Sequence, residues 1–502
     1  MQIKDLLTDA DIPSEAAHLS PTALTARAEC ITRGTLLFLT EGVSYDRSRL
    51  LPYILAKNPL AIVMNENTDF PQTGIPILRV QSVRRAYAEA YFRFCGLDKA
   101  KLKYIAVTGT NGKTTTAMML QEILLQSGRK TGWIGTGKIL CENFSLSPPF
   151  YAMTTPDPEI LYPALAKMEE AGCEFVVMEA SSHALALEKL SPIFFKLAIF
   201  TNLSAEHLDF HKTMERYFLA KAQLFLQSEI GILNNDDSYA RRLANEAPCR
   251  IVRAGALYPS EVSLKGMEPN EYGGFSYMFK TDGPTFFVDL RLRGVYHVYN
   301  SALALCAAIA LGIAPCAARR AIEGIAEIPG RMQKIADEDI TVFLDYAHTP
   351  EALQSALKEA HAMRQNGQAI WLIFGCGGER DREKRPKMAK IAESLADHAI
   401  LTLDNCRRES PMQILKDTAA GFHGKTSTRI ISNRQKAIRH AILTMENGDI
   451  LILAGKGHEA YNIDKAGYHP FDERKIVSDA LKERKQGHTV LYEDQAYNSP
   501  LL

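Results

Sequence analysis

The chain has 502 residues, enough for roughly three domains and an ample buried core. Its 58 Lys+Arg balance 58 Asp+Glu, which excludes a global charge pull toward nucleic acid or an acidic membrane surface. The nine cysteines are scattered without a Cys-x-x-Cys pair, no stretch nears the roughly 18 apolar residues of a membrane span, and residues 1–16 carry acids where a signal peptide has a basic and then an apolar run, so a reducing, cytoplasmic setting is expected.

Residues 1 to about 95 read as a small α/β unit, with strands over 34–39 and 60–64 and a helix over 84–94. Nothing in it declares a chemistry. The aromatic and β-branched run 104–107 then predicts a buried parallel strand. It leads into Thr108-Gly109-Thr110-Asn111-Gly112-Lys113-Thr114-Thr115, after which Met118, Met119, Ile123 and Leu124 recur at helical spacing. Strand, glycine turn and helix start are the setting of a phosphate-binding loop. Its backbone N–H groups close on an anion, Lys113 reaches the terminal phosphates and Thr114 offers a hydroxyl to Mg²⁺. Val107 stands where the first glycine of G-x-x-x-x-G-K-[ST] usually falls.

From about 100 to 325, strands alternate with helices, the pattern of an open parallel sheet whose ligands lie beyond the carboxyl ends of its strands. The run 174–178 delivers Glu179, Ser182 and His183 to that edge, and the run 197–200 delivers His207, Asp209 and His211. A carboxylate ending a neighbouring strand is where nucleotide-bound Mg²⁺ takes a protein ligand. One histidine in such a loop is ordinarily structural. Convergence singles out Glu179 and His207 and leaves His183 and His211 open. Lys221, alone on the apolar helix 217–225, reads from pattern as a surface lysine with its stem laid along the helix.

A third domain is expected from near residue 328. Its strand ends deliver Asp345 and His348, then Arg380 and Arg382, then Asp404, Asn405, Cys406 and Arg407, and finally Gly455, His458 and Glu459. Arginine forks beside an asparagine and a glutamate suit a ligand bearing carboxylate and ammonium, which describes an amino acid. Surface loops with ordinary ion pairs are the alternative. Mg–ATP on one domain and an amino acid on another imply ATP-dependent amide-bond formation. The γ-phosphoryl group converts a carboxylate into an acyl phosphate that an amine attacks, inside a cleft that closes against water.

TGTNGKTTT at 108–116, MEASSHAL at 178–185, TNLSAEHLDFH at 201–211, DYAHTPEAL at 345–353, GCGGERDREKRP at 375–386, DNCR at 404–407 and GKGHE at 455–459 together resemble the Mur ligase family. The resemblance implies an α/β protein of three domains. These are an N-terminal UDP-substrate domain over 1–98, a central ATP-binding domain with a P-loop parallel sheet over 99–327, and a Rossmann-like amino-acid-binding domain over 328–502. It implies a cytoplasmic monomer that adds a diamino acid, meso-diaminopimelate, to the D-Glu carboxylate of UDP-MurNAc-L-Ala-D-Glu in peptidoglycan precursor synthesis, with ATP and Mg²⁺ and with no nucleic-acid or membrane partner.

Residue by residue, it assigns the nucleotide to Gly109, Thr110, Asn111, Gly112, Lys113, Thr114, Thr115, Asn300, Arg331 and Asp345. Metal ligation falls to Thr114, Glu179, His207 and Lys221, the last matching a carbamylated lysine and so replacing the surface reading. Lys113, Lys221, His207 and Glu179 carry the catalysis. Thr154, Thr155, Ser182 and Lys189 fall at the acyl acceptor, and Arg380, Asp404, Asn405, Arg407, Gly455 and Glu459 at the added diamino acid.

The acceptor end departs from the family pattern. Thr25-Ala26-Arg27 replaces an Asp-Ser-Arg, residues 41–47 replace a Gly-His stretch that meets the uridine diphosphate, and Leu187 and Lys189 replace a glutamine and an arginine. Cys406 stands where a proline precedes the diaminopimelate-binding arginine, which loosens the backbone and keeps the Arg407 fork. A paralogous ligase joining an amino acid to another carboxylated carrier is the second reading.

Overall fold

The computed structural model describes residues 1–40, 50–68, 71, 74–141, 144–148, 153–424 and 426–487. Three large sheets follow one another along the chain, and a two-stranded hairpin of Tyr461–Asp464 and Gly467–Pro470 follows the last strand of the third. The first has four parallel strands in the order Ala23–Thr25, Thr35–Phe38, Ala61–Asn65 and Ile77–Val80, covered by the helix Val83–Phe94. The expected strands and helix are present. The two outer strands carried too little apolar run to be foreseen, because only half their residues are buried or their length is three.

The second sheet has eleven strands around Lys103–Thr108, which lies between Phe195–Phe200 and Phe175–Glu179, both parallel to it. Alternate side chains feed opposite faces. Tyr104 and Ala106 enter one core with Met178, Phe200 and the N-terminal unit, whereas Ile105 and Val107 enter the other with Val177, Ile199 and the helix Lys113–Gln126. A strand buried on both faces has to be apolar throughout, and this one is from Tyr104 to Val107. The sheet is parallel at its centre, as expected, and antiparallel at both margins. Val262–Pro269, Phe275–Lys280 and Thr285–Leu290 pair as hairpins at one edge, and Thr131–Gly135, Lys138–Cys141 and Phe144–Ser145 at the other. Their connections are too short for a crossover helix.

The third sheet orders Gln333–Asp337, Thr341–Asp345, Ile450–Ala454, Ile370–Phe374, His398–Leu401 and Ser427–Ile430, with only the first strand antiparallel. It too has a core on each face. The carboxyl edges of the second and third sheets face each other across one cavity. No helix among the described residues is long and apolar enough to cross a membrane.

Candidate active site

The cavity between the two sheets has a volume of about 330 Å³. Its first wall is the loop after Lys103–Thr108. Gly109 has φ +142° and Gly112 φ +86°, values that a side chain rarely adopts, and a Cβ on either would overlap Thr201 or Asn300. Glycine is therefore what lets this loop lie flat against its neighbours. Asn111 is clamped from both sides: its N–H donates to Asn202 Oδ1 at 3.0 Å, and its carbonyl accepts from Thr201 Oγ1 at 2.6 Å and Asn202 Nδ2 at 3.0 Å. Lys113 Nζ curls back onto the carbonyls of Gly109 (3.1 Å) and Thr110 (2.9 Å). Burial lowers its pKa.

Behind this loop stands Lys221, only 1% exposed, donating to Gly109 O at 2.7 Å. The surface reading from pattern is thereby overturned. In the helix Met214–Leu226, positions 217, 221 and 224 share the face turned to the sheet, and that spacing was the overlooked signal. Burial, helped by the charge of Lys113, pushes the ammonium well below the usual lysine range.

Thr114 Oγ1 donates to Glu179 Oε2 at 2.9 Å, and the other Glu179 oxygen accepts the Thr136 N–H at 2.8 Å. Hydroxyl and carboxylate, placed by two adjacent parallel strands, are thus together as the sequence implied. His207 starts a short helix with φ +58° and lies on the cavity wall, its ring 4.8 Å from that of His183. Of the two histidines left open, His183 lines the cavity. His211 does not: it shares a hydrogen bond of 2.9 Å with Ser182 Oγ and lies against Tyr217. Burial pushes both rings down to about 4.

Gly109, Thr115, Asn300 and Asp345 lie behind the wall instead of on it. Asn300 accepts from Thr116 Oγ1 at 3.2 Å and packs under Gly112. Asp345 accepts the N–H groups of Met332 (2.7 Å) and Ala347 (2.8 Å), which sets the backbone next to Arg331. Arg331 is on the wall and donates to Thr114 Oγ1 at 3.1 Å.

The opposite wall gathers Arg380, Asp404, Asn405, Arg407, Gly455 and Glu459, all the residues expected there. Glu459 is held by Asn405 Nδ2 (2.9 Å) and by the Tyr346 hydroxyl (3.1 Å). Arg407 takes φ +53° and anchors Nη1 on the carbonyls of Gly378 (2.9 Å) and Asn405 (3.3 Å). Cys406 at the proline position is buried, with its thiol on Asp404 O at 3.3 Å. Sequence reasoning missed Lys456, which is fully buried and joins Asn405, Asp404 and the Tyr461 carbonyl, so that it fixes the pocket floor.

Glu206 was also passed over as a site residue. It is 4% exposed and spans the two units, with His348 Nε2 at 3.0 Å and His207 Nε2 at 3.7 Å. Burial alone would raise its carboxyl, but His207, His348 and Lys384 outweigh it and hold the group well below the carboxylate range. A second strap across the cavity runs from His458 Nε2 to the Thr136 carbonyl at 3.0 Å.

At the third margin lie Thr154, Thr155, Ser182 and Lys189. Thr155 Oγ1 donates to the Glu179 carbonyl at 2.8 Å, and Thr154 shares a hydrogen bond with Thr136. Lys189 pairs with Asp157 at 2.7 Å. Leu187 only caps the helix Ser182–Ala186. Arg27 is turned onto Glu159, which also accepts from Tyr87, and residues 41–47 lie outside the described residues.

Residues 107–308 match the Mur ligase middle domain, and residues 330–457 match the Mur ligase glutamate ligase domain. The UDP-N-acetylmuramoyl-L-alanyl-D-glutamate--2,6-diaminopimelate ligase of Chlorobaculum tepidum is 37% identical over 483 residues, covering 94% of each chain. The enzyme of that name from Bacillus cereus is 36% identical over 94% of this chain and 96% of its own. A solved structure of a ligase of that name superposes with a TM-score of 0.66 at 29% identity, over 97% of this chain and 100% of the other. The MurF ligase of Thermotoga maritima in complex with ADP shares the fold, with a TM-score of 0.58 at 18% identity over 97% of this chain and 100% of its own. Two matched domains in order, and relatives aligned along nearly the whole length, place this chain in the Mur ligase family.

Proposed function

We propose that the protein is an ATP-dependent ligase that joins meso-diaminopimelate to the D-Glu carboxylate of UDP-MurNAc-L-Ala-D-Glu, releasing ADP and phosphate, in peptidoglycan precursor synthesis. The observation that carries this reading is the facing of two sheet edges: a phosphate loop on one and the Asn405, Arg407 and Glu459 grip on the other share a single cavity. The N-terminal unit takes the uridine diphosphate end, the central unit ATP, and the third unit the amino acid.

The residues also fit a Mg²⁺ ion. Thr114 and Glu179 present two hard oxygen donors 2.9 Å apart at the phosphate loop, with His207 and Lys221 on the same wall. Mg²⁺ characteristically takes one or two protein carboxylates together with phosphate oxygens. When bound it screens the negative charge of the phosphates. Lys113 leaves its two carbonyl partners for the γ-phosphate, and Arg331 meets the same group from the third unit, so phosphoryl charge is neutralised from both walls. The carboxylate of the acceptor attacks phosphorus, ADP leaves, and the acyl phosphate waits in a site strapped shut by His348–Glu206 and His458–Thr136. The neutral amine of the amino acid then attacks the carbonyl carbon, and phosphate departs.

Arg407 suits a second carboxylate at the distal end of the amino acid, which diaminopimelate has and lysine lacks. One observation favours the second reading, a different carboxylated carrier: Lys189 is already paired with Asp157, and Leu187 brings no polar group to the cavity. Phosphate release with a panel of acceptors and amino acids separates the two. Dependence on UDP-MurNAc-L-Ala-D-Glu and diaminopimelate together supports the proposal; dependence on another carrier refutes it.

A further inference from the structure

Tyr346 follows the strand Thr341–Asp345 and lines the cavity. The Arg331 guanidinium lies 4.6 Å over its ring, His458 stacks on it at 5.7 Å with 14° between the planes, and His348 meets it edge-on at 5.0 Å. Gly457, at φ +55°, closes in beside it, and a Cβ there would come within 2.9 Å of the Tyr346 Cβ. The three side chains on the ring are also the ones that carry hydrogen bonds from the third unit across the cavity: Arg331 to Thr114, His458 to the Thr136 carbonyl and His348 to Glu206.

Two of these crossings converge. Thr114 Oγ1 and the Thr136 N–H both donate to Glu179, one to each oxygen. The path from Tyr346 through Arg331, Thr114, Glu179, Thr136 and His458 therefore returns to Tyr346. A side chain held at one end can turn without disturbing what lies beyond it, whereas one built into a closed circuit cannot. The Tyr346 hydroxyl is the group that leaves this circuit, and it donates to Glu459 Oε1 at 3.1 Å while Asn405 holds Oε2. An ammonium that pairs with Glu459 fixes the carboxylate, the carboxylate fixes the hydroxyl, and the ring then holds the Arg331 fork against the phosphate loop.

We propose that Tyr346 is a positioning residue that couples the amino-acid pocket to the phosphate loop: amino acid bound at Glu459 sets the tyrosine ring, and the ring sets Arg331 beside Thr114. This coupling rests on the amino-acid ligase reading above and adds to it a reason for the phosphoryl end to respond to the amine's presence.

The test is equilibrium binding to the full chain, with Mg²⁺ and UDP-MurNAc-L-Ala-D-Glu present throughout. The nucleotide is the β,γ-methylene analogue of ATP, which cannot pass on its γ-phosphoryl group. Its Kd is measured by calorimetry without and with saturating diaminopimelate. In the wild type diaminopimelate tightens the analogue about 10-fold, and by linkage the analogue tightens diaminopimelate by the same factor. Tyr346→Phe keeps the ring and loses the hydroxyl, so the factor falls below about twofold. Tyr346→Leu loses the stacking as well and abolishes the coupling. Loss of packing alone would weaken both affinities and leave the factor between them unmoved. An unchanged factor in Tyr346→Phe, or no tightening in the wild type, therefore overturns the coupling. A wild type that binds the ATP analogue and no diamino acid refutes instead the ligase reading on which it stands.

Discussion

Arg331 reaches from the third unit to Thr114, donating through Nη2 to the hydroxyl at 3.1 Å while that hydroxyl donates to Glu179 at 2.9 Å. The loop that carries Thr114 is thus completed by a residue of the third unit. The Arg331 guanidinium also lies 4.6 Å over the Tyr346 ring, and the Tyr346 hydroxyl holds Glu459, so the Thr114 and Glu459 walls of the cavity are in physical contact. Transfer of the phosphoryl group should therefore need the two units together.

Arg331→Lys keeps the charge and loses the planar fork and its stacking. The expected result is a fall of about 10²-fold in kcat/KM for ATP, comparable to removing one preorganised donor, measured by coupled ADP release. A change under threefold contradicts the role.

Arg407→Ala removes the distal fork. The KM for diaminopimelate should rise about 10- to 100-fold, with the KM for ATP unmoved and the preference over L-lysine erased. Tyr346→Phe, which leaves Glu459 its bond to Asn405, should cost about tenfold at most in the same parameter. Equal discrimination against lysine in wild type and Arg407→Ala contradicts the substrate assignment.

Lys221→Met tests the buried lysine. The replacement fills similar space and removes an ammonium for which burial is costly, so the thermal midpoint should change by only a few degrees. Turnover should fall about 10²- to 10³-fold. Because burial lowers the Lys221 pKa, its neutral amine is available to add CO₂, and wild-type activity should rise with bicarbonate in degassed buffer. No bicarbonate dependence contradicts carbamylation.

Much of the site was legible because strand ends are legible. Glu179, Asp345 and Arg407 were placed by their distance after apolar runs, and a parallel sheet brings such positions to one edge whatever the intervening helices do. Lys221 was not read correctly from pattern. Its burial depends on which helix face meets the sheet, and only its spacing from Tyr217 and Leu224 marks that face. Glu206 and Lys456 escaped for a related reason: each matters through partners on a distant segment, His348 for one and Asp404 and Asn405 for the other. The antiparallel margins of the large sheet followed from loop lengths that the alternation of strands and helices had masked.

Acid should loosen the clasp at His458. Burial first, then the charge of Arg331, pushes its ring from 6.5 down to about 4, so at neutral pH it is uncharged and donates to the Thr136 carbonyl. Between those values the unfolded chain binds more protons than the folded one, so stability rises with pH through this window and is lost as pH falls through it. His458→Gln keeps a donor and removes the titration. Urea midpoints at pH 7 and pH 5 should drop further for wild type than for the variant. Equal drops contradict this.

The central claim is that the acceptor carboxylate is phosphorylated before the amide forms. Its most direct measurement follows a heavy oxygen isotope placed in the D-Glu carboxylate of UDP-MurNAc-L-Ala-D-Glu through a complete turnover with ATP and diaminopimelate. An acyl phosphate passes one labelled oxygen to the released phosphate and leaves the other in the new amide carbonyl. Labelled phosphate alongside the tripeptide product is the predicted result; unlabelled phosphate, or phosphate without a new amide, contradicts the account.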